Sequence, residues 1–148
     1  MLLYAAALLL SQDAPCPPLD ASKLGAFAAW PVHYDSLEPG TAVTRITGDA
    51  TRLKDLPPND RKGSAAMVMF SIRAVGPYEI ATDQPGWIDL LPGFDGATTA
   101  VEPASHRHGE ACSPLRKILR FDLKPGVYRL YLSGLATREV RVMLVAGE

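Results

Sequence analysis

The sequence predicts an all-β fold, an antiparallel β-sandwich or jelly roll with one short N-terminal helix. Three observations lead there. After residue 40, apolar residues alternate with polar ones through most of the chain, the period of a half-buried strand. About eight such runs follow one another, separated by turn pairs such as Gly76-Pro77, Pro92-Gly93, Asp95-Gly96 and Pro125-Gly126. The length, 148 residues, suffices for one domain with its own core.

The chain opens on an apolar run, residues 2–10, too short for a transmembrane helix, which needs about 20 residues, but as long as a signal-peptide core. A small-residue cleavage site ends at Ala14. Residues 1–14 are therefore expected to be a signal peptide, leaving a periplasmic or secreted protein with no membrane span. A buried N-terminal strand is the alternative. Residues 15–39 form a lead stiffened by Pro15, Pro17 and Pro18. Asp20 is placed to cap a short helix over 21–29, with Leu24, Phe27 and Ala28 on one side, and Trp30-Pro31 ends it. This helix is expected to plug one end of the core.

Residues 40–148 are expected to form the sandwich. A first strand covers 41–47, with Ala42, Thr44 and Ile46 on one face, and 51–56 is a possible second. Residues 57–63, Pro-Pro-Asn-Asp-Arg-Lys-Gly, form a turn-rich loop. In 66–72, Ala66, Val68, Phe70 and Ile72 alternate with Met67, Met69 and Ser71. The chain returns over 78–82 with Tyr78 and Ile80 inward, then over 87–91 with Ile88 and Leu90 inward and Trp87 and Asp89 outward. Residues 97–102 are expected to continue the sheet. Residues 115–134 read as a β-hairpin: Leu119, Phe121 and Leu123 point inward on one arm, Tyr128, Leu130 and Leu132 on the other, and Pro125-Gly126 suits a type II turn. Residues 139–145 close the domain through Val140, Val142 and Leu144. Two segments echo each other: Phe70-Ser71-Ile72 before Gly76-Pro77-Tyr78-Glu79-Ile80, and Phe121-Asp122-Leu123 before Gly126-Val127-Tyr128-Arg129-Leu130.

Cys16 and Cys112 are the only cysteines, so in an exported protein they form the one possible intrachain disulfide. It would tie the mature N-terminus to a loop spanning 105–114, which holds two of the three histidines. A catalytic thiolate at Cys112 beside His108 is the competing reading and needs a reduced cysteine. The net charge of −1 offers nothing global to nucleic acid. The charge is uneven, however: residues 105–148 hold eight Lys/Arg against four Asp/Glu, and 15–104 hold seven against eleven. An anion is therefore expected in the C-terminal third, if anywhere.

Segments 75–80, 87–90 and 121–130, with their Gly-x-Tyr strand, aspartate-containing strand and Leu-x-Pro-Gly-x-Tyr turn, resemble bacterial pre-peptidase C-terminal (PPC-type) β-sandwich modules over roughly residues 64–145. The resemblance implies a sandwich fold and an accessory or binding role. The whole chain also resembles short exported alphaproteobacterial proteins, some of which carry a homogentisate dioxygenase label. That label would imply a metal-dependent oxygenase.

Three constellations are candidates for chemistry. Arg107, Arg116 and Arg120, with Lys117 nearby, form a basic cluster suited to a carboxylate, phosphate or anionic sugar. Arg116 and Arg120 share strand parity, and Lys117 points the other way. Trp87 and Asp89 share a strand face that would serve as a sugar platform; Trp30, Tyr34 and Tyr131 are the other aromatics considered, with core packing as the plain alternative. His106, His108 and Glu110 alternate, so on a strand they project from one face as ligands for Cu, Zn or Fe, with His33 or Asp89 to complete the site. This run is similar to the start of a cupin metal motif, but Glu110 follows His108 after a single residue and no later histidine exists. No nucleophile elbow, phosphate-binding glycine loop or Cys-x-x-Cys is present, so no catalytic residue is assigned.

The resulting expectation is a monomeric, exported, non-enzymatic binding or accessory module without a cofactor. It would take a small-molecule or cell-envelope ligand, anionic or carbohydrate, on the 105–114 loop with Arg116 and Arg120. A metal-binding protein is the alternative, and a metal-dependent dioxygenase a more distant one.

Overall fold

In the structure, a computed structural model, residues 14–58 and 63–148 are described. The expected signal peptide, except for Ala14, and the middle of the 57–63 loop lie outside them. Among the described residues nine strands form: β1 (Thr41–Ile46), β2 (Gly48–Asp49), β3 (Ser64–Ile72), β4 (Gly76–Thr82), β5 (Trp87–Pro92), β6 (Ser105–Arg107), β7 (Lys117–Leu123), β8 (Gly126–Leu135) and β9 (Glu139–Ala146). They make two sheets, β1-β9-β4-β7-β6 and β2-β3-β8-β5, in which every strand pair is antiparallel. The pairs β1–β9, β3–β8 and β4–β7 nest inside one another, as in a long hairpin rolled into a jelly roll.

Alternation puts the expected residues between the sheets. Val68, Phe70 and Ile72 of β3 meet Tyr128, Leu130 and Leu132 of β8, and opposite them lie Ile80, Leu119, Phe121, Val142 and Leu144. Burying each such side chain contributes about 1.5–3 kcal/mol before the entropy of ordering it is subtracted.

The expected hairpin over 115–134 is a different object. β7 and β8 follow each other in the chain but lie in different sheets, so they form an arch across the core and do not pair. β3 and β4 form a second arch, and the sequence echo marks the two as equivalent. Phe70 pairs with Tyr128 and Ile72 with Gly126; Phe121 pairs with Tyr78 and Leu123 with Gly76. Each arch thus sets its phenylalanine opposite the other's tyrosine. Gly126 opens β8 at φ 152°, a conformation that L side chains rarely adopt.

The N-terminal helix is a 3₁₀ segment, Ala21–Phe27, kinked at Gly25, where φ is +59°. Asp20 caps it as expected, accepting from the Ser22 amide at 3.1 Å and the Ser22 hydroxyl at 2.6 Å. It does not plug an end of the core. It covers the outer face of the five-stranded sheet, where Phe27 and Trp30 join Ala42, Ala81, Leu115, Ile118 and Met143 in a second apolar cluster. The face of β1 that carries Ala42, Thr44 and Ile46 is accordingly the outer one. Ala42 lies in this second cluster, Ile46 is 82 % exposed, and Val43 is the β1 residue that enters the main core.

Two further expectations change. Residues 51–56 form no strand; a short 3₁₀ turn, Ala50–Arg52, capped by Asp49, leads into a bend. Residues 97–104 are irregular, and the sheet resumes only at β6, inside the segment read as a loop.

Candidate functional site

Cys16 and Cys112 form a disulfide with their Cα atoms 5.3 Å apart, across 96 positions of sequence. Closing so long a loop removes ~4–5 kcal/mol of unfolded-chain entropy in the simple chain model. The bond has a geometric result too. It sets the lead, 17–27, against the 107–115 loop, and the two segments wall a cleft of about 290 Å³. Its apolar floor comes from Leu24, Phe27, Leu115 and Ile118. Its charged lining is Asp20 and Lys23 on the lead side, Arg107 and Glu110 on the loop side.

The loop wall is tightly folded. Cys112 sits at φ 66°, the Ser113 amide donates to the Glu110 carbonyl at 3.0 Å, and the Leu115 amide donates to the Ser113 hydroxyl at 3.1 Å. Gly109 lies so close to Leu115 that a Cβ there would overlap the Leu115 carbonyl oxygen.

Of the predicted basic cluster, Arg107 and Arg120 share one face of the five-stranded sheet beside Glu79, which stands opposite Arg120 in register. Arg107 lines the cleft but donates to Glu79 at 3.0 Å, and the Glu79 side chain is only 18 % exposed. Arg120 donates to the Glu148 backbone carbonyl at 2.6 Å. Arg116 is exposed and precedes β7, its amide bonding to the Thr82 carbonyl at 2.8 Å. Lys117, of opposite parity, donates to the Gly86 carbonyl at 2.6 Å and holds its ammonium 5.5 Å from the centre of the Trp87 ring.

That cation–π contact bears on the sugar platform. Trp87 is 51 % exposed at the start of edge strand β5, but Lys117 covers part of its ring. Asp89 lies two residues along β5, opposite Tyr131 of β8. Trp30 and Tyr131 are buried, as the packing reading has it, and Tyr34 packs partly against the main core.

His106 and His108 lie at the free edge of the five-stranded sheet, in and just after β6. His106 is in β6, and the His108 ring meets the Arg116 carbonyl at 3.3 Å. Their ring centres are 6.3 Å apart, edge to face. Glu110 lines the cleft, His33 lies 4.0 Å from Asp35, and Asp89 belongs to the other sheet. Among the described residues, no group of three His, Cys, Asp or Glu is placed to hold a metal ion.

Two site residues escaped the sequence reading, Lys23 and Gly109. The cysteine pair was the signal that would have found them, since joining Cys16 to Cys112 brings 17–27 beside 107–115. Away from the cleft, Arg129 alternates as an outward residue yet is 2 % exposed. Its guanidinium donates to the carbonyls of Gly93 at 3.0 Å, Asp95 at 3.1 Å and Gly96 at 2.8 Å, and meets Asp55 at 3.4 Å. It fastens two loops over the outer face of the four-stranded sheet.

Among the described residues no helix is long and apolar enough to cross a membrane. Compared with known proteins, the chain matches no family model, no curated protein and no solved structure.

Proposed function

We propose that this protein is an exported, non-enzymatic binding or accessory module, a sandwich of the PPC-like kind, and that it takes a small-molecule or cell-envelope ligand in the disulfide-framed cleft. The observation that supports this reading is the cleft itself: an apolar floor with a few charged groups at its rim, walled by two segments that a covalent bond holds in register. A disulfide fits an oxidising compartment, in keeping with export. Fixing both walls before the ligand arrives lowers the ordering cost of binding. Arg107 is the one member of the predicted basic cluster on a wall of this cleft.

The test is a thermal-shift and calorimetric screen of carboxylates, sugars and cell-wall fragments against the wild type and Ala111→Trp, which crowds the cleft from an exposed position. The expected result is a ligand whose binding Ala111→Trp abolishes; a ligand bound equally by both proteins rejects the cleft. N-terminal sequencing of the exported protein is expected to begin at Pro15.

A second reading is favoured by the two exposed imidazoles 6.3 Å apart, which suit a two-histidine chelate for Cu²⁺ or Zn²⁺. Titration of the metals into wild type and His106→Ala with His108→Ala decides it. Binding no tighter than that of the double variant rejects it.

A further inference from the structure

We propose, resting on the cleft reading above, that the ligand is a small zwitterion with an apolar body: a free apolar amino acid or a very short apolar peptide. Of the four charged side chains that line the cleft among the described residues, two already have partners. Asp20 caps the 3₁₀ segment through both the amide and the hydroxyl of Ser22. Arg107 is committed to the half-sunken Glu79. Lys23 and Glu110 are left, both exposed, and neither side chain makes a hydrogen bond or ion pair with a described residue. They belong to opposite walls, Lys23 to the lead and Glu110 to the 107–115 loop, with Leu24, Phe27, Leu115 and Ile118 forming the floor.

One available cation and one available anion across an apolar floor make a poor host for a simple anion, which would meet Glu110 as well as Lys23. A neutral sugar carries no charge to match either Lys23 or Glu110 and would set hydroxyls against an apolar floor. A molecule with a carboxylate, an ammonium and an apolar side chain meets all three features: carboxylate to Lys23, ammonium to Glu110, side chain on the floor. The volume, about 290 Å³, is at the low end for ligand pockets and selects a small molecule.

Calorimetry on the disulfide-intact protein, with L-phenylalanine and leucyl-phenylalanine as probes, tests this. N-acetyl-phenylalanine removes the ammonium and phenylalanine amide removes the carboxylate. The zwitterions are expected to bind, and each blocked analogue to bind at least about tenfold more weakly, as expected for one lost charge-assisted hydrogen bond. Lys23→Met should erase the preference over the amide and Glu110→Gln the preference over the acetyl derivative. Both residues are exposed, so circular dichroism of the variants should match the wild type. Equal binding of N-acetyl-phenylalanine and phenylalanine overturns the inference but leaves a cleft that binds anions. No binding of either zwitterion overturns it as well. The cleft reading falls separately, if Ala111→Trp fails to displace whatever ligand the screen finds.

Discussion

Tyr78 and Tyr128 make the same hydrogen bond in two different arches. Each hydroxyl donates to the carbonyl four residues earlier, Ala74 and Lys124 respectively, and each bond is 2.7 Å long. Each ring lies opposite the phenylalanine of the other arch, and the Phe70 and Tyr128 rings stack with centres 5.6 Å apart. The two arches are therefore equivalent in register, and one device closes both turns. Tyr78→Phe should cost about 0.5–1.5 kcal/mol, the net value of one intramolecular hydrogen bond, and Tyr128→Phe at least as much, because its hydroxyl also accepts from the Lys124 amide at 3.2 Å. Urea unfolding monitored by tryptophan fluorescence would measure both; a cost at one site and none at the other would refute the equivalence.

Arg129 should prove far more costly to remove. Its guanidinium is buried and satisfied by backbone carbonyls and by Asp55, so Arg129→Ala leaves several carbonyls without this donor and the Asp55 carboxylate with the Gly96 amide but no cation. Breaking such an arrangement costs about 3–5 kcal/mol. Arg129→Lys should recover only part of the loss, because one ammonium cannot span the positions a planar fork reaches. Denaturant midpoints of the three proteins supply the check, and a near-wild-type lysine variant would contradict the account.

Gly109→Ala should unseat the loop wall of the cleft, since the added methyl must move the Leu115 backbone. Overpacking of this kind costs about 1–3 kcal/mol. Hydrogen exchange should show amides of 107–115 losing protection while β3 and β8 keep theirs. Unchanged exchange in the loop would mean that Gly109 is not needed for its shape.

Asp83 gives a pH signature. Burial raises its pKa above the ordinary 3.8, and this outweighs the hydrogen bond it accepts from the Arg141 amide at 3.0 Å. A carboxyl raised on folding binds its proton more tightly in the folded chain. Its contribution is therefore most favourable below 3.8 and is lost as pH rises through the folded value. Asp83→Asn, which keeps an acceptor for the Arg141 amide, should be more stable than wild type at pH 7, with the gap narrowing below pH 4. Thermal melts at the two pH values decide it, and a constant gap would show that the charge of Asp83 is not the cause.

The readable parts of the fold were those set by neighbours in sequence. Alternation identified the inward residues of β3, β4, β7, β8 and β9 because a pleated strand bound to a two-faced sheet leaves them no other place. It failed where an outer face is covered as well. Ala42 and Arg129 are buried against the 3₁₀ segment and the 92–96 loop, coverings that depend on residues remote in the chain. The candidate basic cluster meets partners equally remote in the chain: parity says that Arg116 and Arg120 share a face, but not that Arg107 meets Glu79 or that Arg120 meets the Glu148 carbonyl.

What the sequence determined alone was the all-β class, the core-facing residues and the single cysteine pairing, since these follow from a two-residue period and from having two cysteines. What tertiary structure decided was which strands share a sheet, turning a supposed hairpin into an arch, and which charges remain available around a cleft. Partner choice between strands and between charges depends on contacts closed over dozens of residues, and no local period encodes them.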